Sequence, residues 1–150
     1  MDSKKITYES LWKAIIRPPR DYYLEEDLGP TNFKYHYRTY IRKDFDLIDF
    51  RGLILKVSII EPDTISRPFD IMPCVIYVHA NSSSRVGGIN IKNNLLKKDI
   101  NICSFDFEGS GNSEGDMKKN SLKMLFISLR IIKVLVRLVY GEDQWELPQV

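Results

Sequence analysis

Ile71 to Gly115 reads IMPCVIYVHANSSSRVGGINIKNNLLKKDINICSFDFEGSGNSEG. Two short apolar runs, Cys74 to Val78 and Ile100 to Phe105, each end in a polar turn rich in Gly or Ser. The segment between them is long enough for one helix. That pattern is a strand-loop-helix-strand unit, and such a crossover implies parallel strands with a right-handed connection. The fold class is therefore α/β.

Composition allows a true core. The chain has 150 residues and is 43% apolar, which suits one domain. Lys and Arg total 22 against 20 for Asp and Glu, a formal net charge of +2. No basic block occurs in the first hundred residues, so nucleic acid is not an expected partner. Cys74 and Cys103 both fall on expected buried strands, which points to a reducing compartment rather than a disulfide. The start, MDSKKITYESLWK, has no apolar core of a secretory signal. No run of about 18 uncharged apolar residues occurs, so no membrane span is expected. The expected location is the cytoplasm.

Upstream of the central unit, Tyr8 to Ile16 has the pattern of a short helix ended by Pro18-Pro19, with Trp12 packing this arm onto the domain. Arg17-Pro18-Pro19-Arg20 is polyproline-like but too short to define a ligand motif. Asp21 to Asn32 reads as a loop. Residues 1–32 are thus taken as an N-terminal arm. Phe33 to Ile41 reads as one strand, with Phe33, Tyr35, Tyr37 and Thr39 on one face and His36 as a solvated strand residue on the other. Asp44 to Phe50 and Leu53 to Ile60 form a hairpin turning at Arg51-Gly52, with Leu53, Leu55, Val57 and Ile59 facing inward. Pro62 to Pro68 is a loop.

The central unit carries a family resemblance. Pro73 to Arg85, an apolar strand running into His79-Ala80-Asn81 and then Arg85, resembles the third strand and following loop of α/β-hydrolases, whose pattern is His-Gly-Asn-x-x-x-Arg. Asp106 to Gly115 resembles the same fold's turn after strand four, D-x-x-G-x-G-x-S-x-G, at the usual spacing. The likeness is nearest to serine aminopeptidase-like hydrolases and covers roughly residues 8 to 115. It implies that residues 33–115 are the N-terminal half of such a domain, a β-hairpin followed by a β-α-β unit, in an incomplete sheet.

The resemblance also implies roles. A serine hydrolase stabilises the oxyanion of its tetrahedral intermediate with backbone N–H groups, one of them from the loop after strand three. Asn81 is expected to give that N–H, and His79 to brace the loop rather than transfer protons. Ala80 stands where the family has Gly, and a left-handed backbone there would be strained. Gly111-Asn112-Ser113-Glu114-Gly115 matches G-x-S-x-G literally. A nucleophile elbow turns directly from strand to helix with Ser at its tip. Here Gly109 and Gly111 intervene, so the expected role of Asp106, Gly109, Gly111, Ser113 and Gly115 is a structural turn beside the site. A dinucleotide site is not expected, because the third Gly and the following acidic residue are missing. No cofactor and no metal are expected, since no second histidine or carboxylate is spaced to make His36 a ligand.

Residues 116–150 break the pattern. Leu122 to Tyr140 reads as an apolar helix carrying Lys123, Arg130, Lys133 and Arg137, a composition open to weak contact with a membrane surface. Reading the third base of each codon with the first two of the next, Lys123 to Val150 permits DVIYFLKDNKSISKIGIWGRSMGAATS. That string is a helix, a strand and G-x-S-x-G in order, as the family has at this point. Only one position is forced: Trp145 followed by Glu146 gives Gly. On this reading the tail is an out-of-frame translation of a hydrolase gene, and no catalytic Ser, Asp or His of a triad is expected in the chain. The expected function is ester, thioester or amide hydrolysis on a small-molecule or peptide substrate by family, with negligible activity in this polypeptide. The alternatives are a non-catalytic binding or membrane-associated module using the tail, and an unrelated α/β nucleotide binder.

Overall fold

The computed structural model describes residues 7–8, 19–49, 51–80 and 82–115. Five strands form one sheet: β1 (Asn32–Tyr35), β2 (Arg38–Ile48), β3 (Ile54–Pro62), β4 (Cys74–Tyr77) and β5 (Asn101–Phe105). The spatial order is β1-β2-β3-β5-β4. Helix α1 (Val86–Leu96) connects β4 to β5. A short 3-10 turn, Glu25–Leu28, precedes β1.

The expected crossover is present. β4 and β5 are parallel, with Tyr77 opposite Ser104 and Ile76 opposite Cys103. β5 also pairs antiparallel with β3, Val57 opposite Phe105. The hairpin forms as read, with Ile48 opposite Ile54 and Gly52 in the turn at φ 82°. A left-handed residue is what such a turn needs, and Gly adopts it without steric cost.

β3 is buried on both faces. Leu55, Val57 and Ile59 pack with Cys103, Phe105 and Phe107 on one side, as expected for the first three. Ile60 joins Ile102, Tyr40, Leu28 and Tyr23 on the other, beneath Ile89 and Leu96 of α1. Leu53 lies outside the strand and is half-buried. The helix sequence VGGINIKNNLL has weak intrinsic helix preference. Its glycines serve packing instead: a Cβ on Gly88 would stand 2.6 Å from Cβ of Ser104. The helix therefore lies directly on β5, and tertiary contact outweighs propensity.

One strand expectation is corrected. Phe33 to Ile41 is not a single strand but two, folded back at His36-Tyr37, with Tyr35 opposite Arg38. His36 is exposed and left-handed, φ 54°, in that turn. The run contains no Gly, Pro or Asn to mark a turn, but His tolerates this conformation better than most residues. The reversal changes the faces: Tyr40 is buried and Tyr37 is 88% exposed. The loop expected over 21–32 also contributes to the core, through Tyr23 and Leu28. The expected helix over 8–16 with Trp12, and the tail helix Leu122 to Tyr140, lie outside the described residues. Among the described residues, no helix is long and apolar enough to cross a membrane.

Candidate functional site

Both Gly/Ser-rich corners leave the C-terminal ends of adjacent parallel strands, β4 and β5. Parallel pairing puts the two strand ends at the same edge of the sheet, so the corners meet there. His79 follows β4 and is 5% exposed. Its Nε2 accepts the backbone N–H of Phe107 at 3.2 Å, and its Nδ1 faces the Ala80 carbonyl at 2.7 Å. Both ring nitrogens are thus engaged, in the tautomer with the proton on Nδ1. The ring also packs edge-on against Phe107. Ala80 is not left-handed: among the described residues only His36 and Asp99 are non-glycine residues with positive φ. The strain anticipated for Ala80 is therefore absent. Asn81 lies outside the described residues.

Asp106 is fully buried at the end of β5. Its Oδ1 accepts the backbone N–H of Arg85 at 2.7 Å. Its Oδ2 accepts the Tyr23 hydroxyl at 2.6 Å and the Asn112 N–H at 3.2 Å. Gly111 passes directly over it at φ 49°, where a Cβ would collide with the Asp106 carboxylate. Gly109 and Gly115 are also left-handed, at φ 74° and 90°. The turn closes on itself through the Gly109 N–H to the Glu114 carbonyl at 2.9 Å.

Ser113 is 1% exposed. Its hydroxyl donates to the Asp106 carbonyl at 2.8 Å and accepts the Lys56 N–H at 2.9 Å. Glu114 completes the seam to β3, its N–H on the Ile54 carbonyl at 2.8 Å. The G-x-S-x-G serine is thus bonded into the sheet edge, and its hydroxyl contacts no histidine among the described residues.

Three residues that carry this geometry had been given no role. Arg85 belongs to the first motif but had only a place in its pattern. Its guanidinium is 2% exposed, donates to the Val57 carbonyl at 3.1 Å and to the Tyr23 hydroxyl, and stands 3.8 Å from Oδ2 of Asp106. Tyr23 came from the presumed loop. Burial, with the Asp106 carboxylate beside it, raises its phenol well above the ordinary value, so it remains a donor. Arg20, from the Arg-Pro-Pro-Arg segment, reaches the second corner. It donates to the carbonyls of Gly109, Ser113 and Gly115 at 2.9, 3.1 and 2.6 Å. Asp21 accepts the Ser84 hydroxyl at 2.8 Å, so the same short strap also holds the first corner.

Cys74, half-buried at the start of β4, and Cys103, buried within β5, are free thiols. Burial pushes Cys74 up to about 11 and Cys103 higher still. Neither has the lowered value that nucleophilic thiols require. Among the described residues, no group of three or more His, Cys, Asp or Glu side chains is gathered to hold a metal ion.

No protein-family model matches the chain. None of the curated proteins matches it. Solved structures do. The Pyrococcus furiosus esterase Pf2001 in its P21 form superposes with a TM-score of 0.57 at 22% identity, over 83% of this chain and 43% of that one. The P212121 form of the same esterase gives 0.56 at 21%, over 83% and 42%. At such identity the likeness is one of fold. The mixed sheet, its strand order and its one crossover helix are part of the α/β-hydrolase fold. The chain spans less than half the length of these esterase structures.

Proposed function

We propose that the corners after β4 and β5 are the oxyanion-side wall of a serine-hydrolase pocket acting on an ester, thioester or amide carbonyl, in a serine aminopeptidase-like branch of the fold. The observation that carries this reading is the lock between the corners. His79 Nε2 holds the Phe107 N–H, and Asp106 holds the Arg85 N–H. An oxyanion hole works only when its N–H groups are fixed before charge develops, because reorganising them would consume the stabilisation. Positional errors of about 1 Å are already costly to catalysis. Two corners pinned by buried bonds supply that fixity. On this reading Asn81 offers the N–H and Ala80 sets the backbone direction. His79 positions the loop and moves no proton, since both its nitrogens are occupied.

The same reading assigns the nucleophile, the triad acid and the triad base to none of the described residues. Ser113 is buried and doubly bonded, and His36 lies in the hairpin turn at the other end of the sheet. Without triad members, little of such an enzyme's rate enhancement survives. On this reading the free thiols Cys74 and Cys103 suit a reducing compartment.

Incubation of the 150-residue polypeptide with a fluorophosphonate probe and a p-nitrophenyl ester tests the assignment. The expected result is no covalent label on Ser113 and no ester hydrolysis above buffer. Stoichiometric labelling of Ser113 overturns it.

A further inference from the structure

Residues 20–24 cross both corners without joining the sheet. The segment forms no strand and runs into the 3-10 turn Glu25–Leu28. Arg20 grips the second corner, donating to the carbonyls of Gly109, Ser113 and Gly115 at 2.9, 3.1 and 2.6 Å. Asp21 grips the first, accepting the Ser84 hydroxyl at 2.8 Å. Tyr23 touches both. Its hydroxyl donates to Oδ2 of Asp106 at 2.6 Å and accepts from the Arg85 guanidinium, and its carbonyl accepts the Asn112 side-chain amide at 3.1 Å. Tyr22 and Leu24, in between, are 73% and 69% exposed.

The hold is polar and buries little of the segment itself. Of these residues only Tyr23 enters the core. A segment with few buried apolar contacts opens locally at a lower free-energy cost than the strands beneath it. Its downstream end is anchored, because Leu28 is buried in the core cluster with Tyr40, Ile60 and Ile89. The turn there is tied by the Leu24 N–H on Oδ2 of Asp27 at 2.8 Å and the Asp27 N–H on the Leu24 carbonyl at 3.0 Å. Residues 20–24 can therefore lift about that anchor while the sheet stays folded. Lifting takes partners from both corners at once: three main-chain carbonyls and the Asn112 amide on one, the Ser84 hydroxyl and the Arg85 guanidinium on the other.

We propose that residues 20–24 are a latch, which fixes the two corners together when closed and loosens both when it opens. Arg20 and Asp21 are its positioning residues, acting through the second-corner carbonyls and through Ser84. Its consequence for chemistry rests on the oxyanion-wall reading: the wall is fixed before charge develops only while the latch is closed.

Native-state amide exchange on the 150-residue chain tests the latch. Ser83 and Gly87 report the first corner, bonded to the carbonyls of Ala80 and Ser84. Gly109 and Ser113 report the second, bonded to the carbonyls of Glu114 and Ser110. None of these four bonds uses Asp106, which touches both corners. Asp21→Ala releases the first corner alone. It should speed exchange about three- to tenfold at Gly109 and Ser113 as well as at Ser83 and Gly87, the worth of one hydrogen bond. Arg20→Ala releases the second corner alone and should speed Ser83 and Gly87 at least as much. Asp21→Asn keeps the acceptor and should restore the parental rates. Leu24→Ala, at an exposed position, should leave both corners unchanged, and β2 and β3 should keep their protection throughout. The latch is overturned if either substitution speeds only the corner it touches, or if β2 and β3 accelerate in step with the corners. Asp21 is exposed, so its variant decides the outcome even if Arg20→Ala fails to fold. The readout needs no substrate: uncoupled corners leave the hydrolase assignment standing, and a failed hydrolase assignment leaves coupled corners standing.

Discussion

The backbone N–H of Arg85 donates to Oδ1 of Asp106 at 2.7 Å, and that bond joins the entry of α1 to the exit of β5. The two residues also share Tyr23, whose hydroxyl donates to Asp106 while accepting from the Arg85 guanidinium. A charged pair buried this deeply stabilises only because every partner is satisfied. Removing Asp106 takes the acceptor from two main-chain N–H groups, those of Arg85 and Asn112, and from the Tyr23 hydroxyl together, and removes one of three carboxylates within 4 Å of the Arg85 guanidinium. Asp106→Ala should cost about 3–5 kcal/mol in urea denaturation. Arg85→Met should cost less, since the main-chain, Tyr23 and Asn112 donors still serve the carboxylate. The reverse order would show that the carboxylate is not the centre of this cluster.

Arg20 is a strap. Its three bonds reach the carbonyls of Gly109, Ser113 and Gly115 and add to the bonds that Ser113 and Glu114 make with β3. Arg20→Ala should lose about 1–2 kcal/mol of stability. It should also speed amide exchange in residues 109–115 while leaving β2 and β3 unchanged. Arg20→Lys should not restore protection, because a point ammonium cannot span three acceptors. Uniform acceleration across the sheet would contradict a local strap.

Gly88 sets the distance between α1 and β5. A Cβ there meets Ser104 at 2.6 Å, closer than two carbons can stand. Gly88→Ala should therefore destabilise by about 1–3 kcal/mol, despite the higher helix propensity of alanine. Ser104→Gly removes the opposing Cβ, so the double variant should recover part of the loss. A double-mutant cycle with no coupling would place the helix elsewhere.

The buried thiols give stability a pH dependence with a definite sign. Burial, followed by the charge of Glu61, raises the Cys74 thiol from the ordinary value of 9.0 to about 11. The folded state then binds more protons than the unfolded state between those values. The stabilising contribution is complete below about pH 9 and is lost as pH rises toward 11. Urea midpoints should fall between pH 8.5 and pH 10.5. Iodoacetamide should leave native Cys103 unmodified at pH 8, and rapid alkylation there would contradict its burial.

The sequence revealed β4, α1, β5 and the hairpin because each is bounded by a chemical signal. Apolar runs stop at Gly/Ser turns, and Gly52 marks the reversal. It hid the β1–β2 turn, because His36 adopts a left-handed backbone with no Gly, Asn or Pro to announce it. The corners of the candidate site were readable as patterns, His79 to Arg85 and Asp106 to Gly115. Their fastening was not. Arg20 and Tyr23 lie more than sixty residues before their partners, and a polar side chain in an apparent loop gives no sign that it will be buried against a distant carboxylate. Ser113 shows the converse: a motif match in sequence became a hydroxyl committed to Lys56 and Asp106.

A chimera tests the oxyanion-wall assignment most directly. Residues 74–115 would replace the structurally equivalent segment of the Pyrococcus furiosus esterase. The account predicts a folded enzyme that keeps ester hydrolysis within about tenfold of the parent, because the transplanted corners present the required N–H groups. A folded chimera whose kcat falls about 100- to 1000-fold, the loss expected when an oxyanion donor is removed, would contradict it.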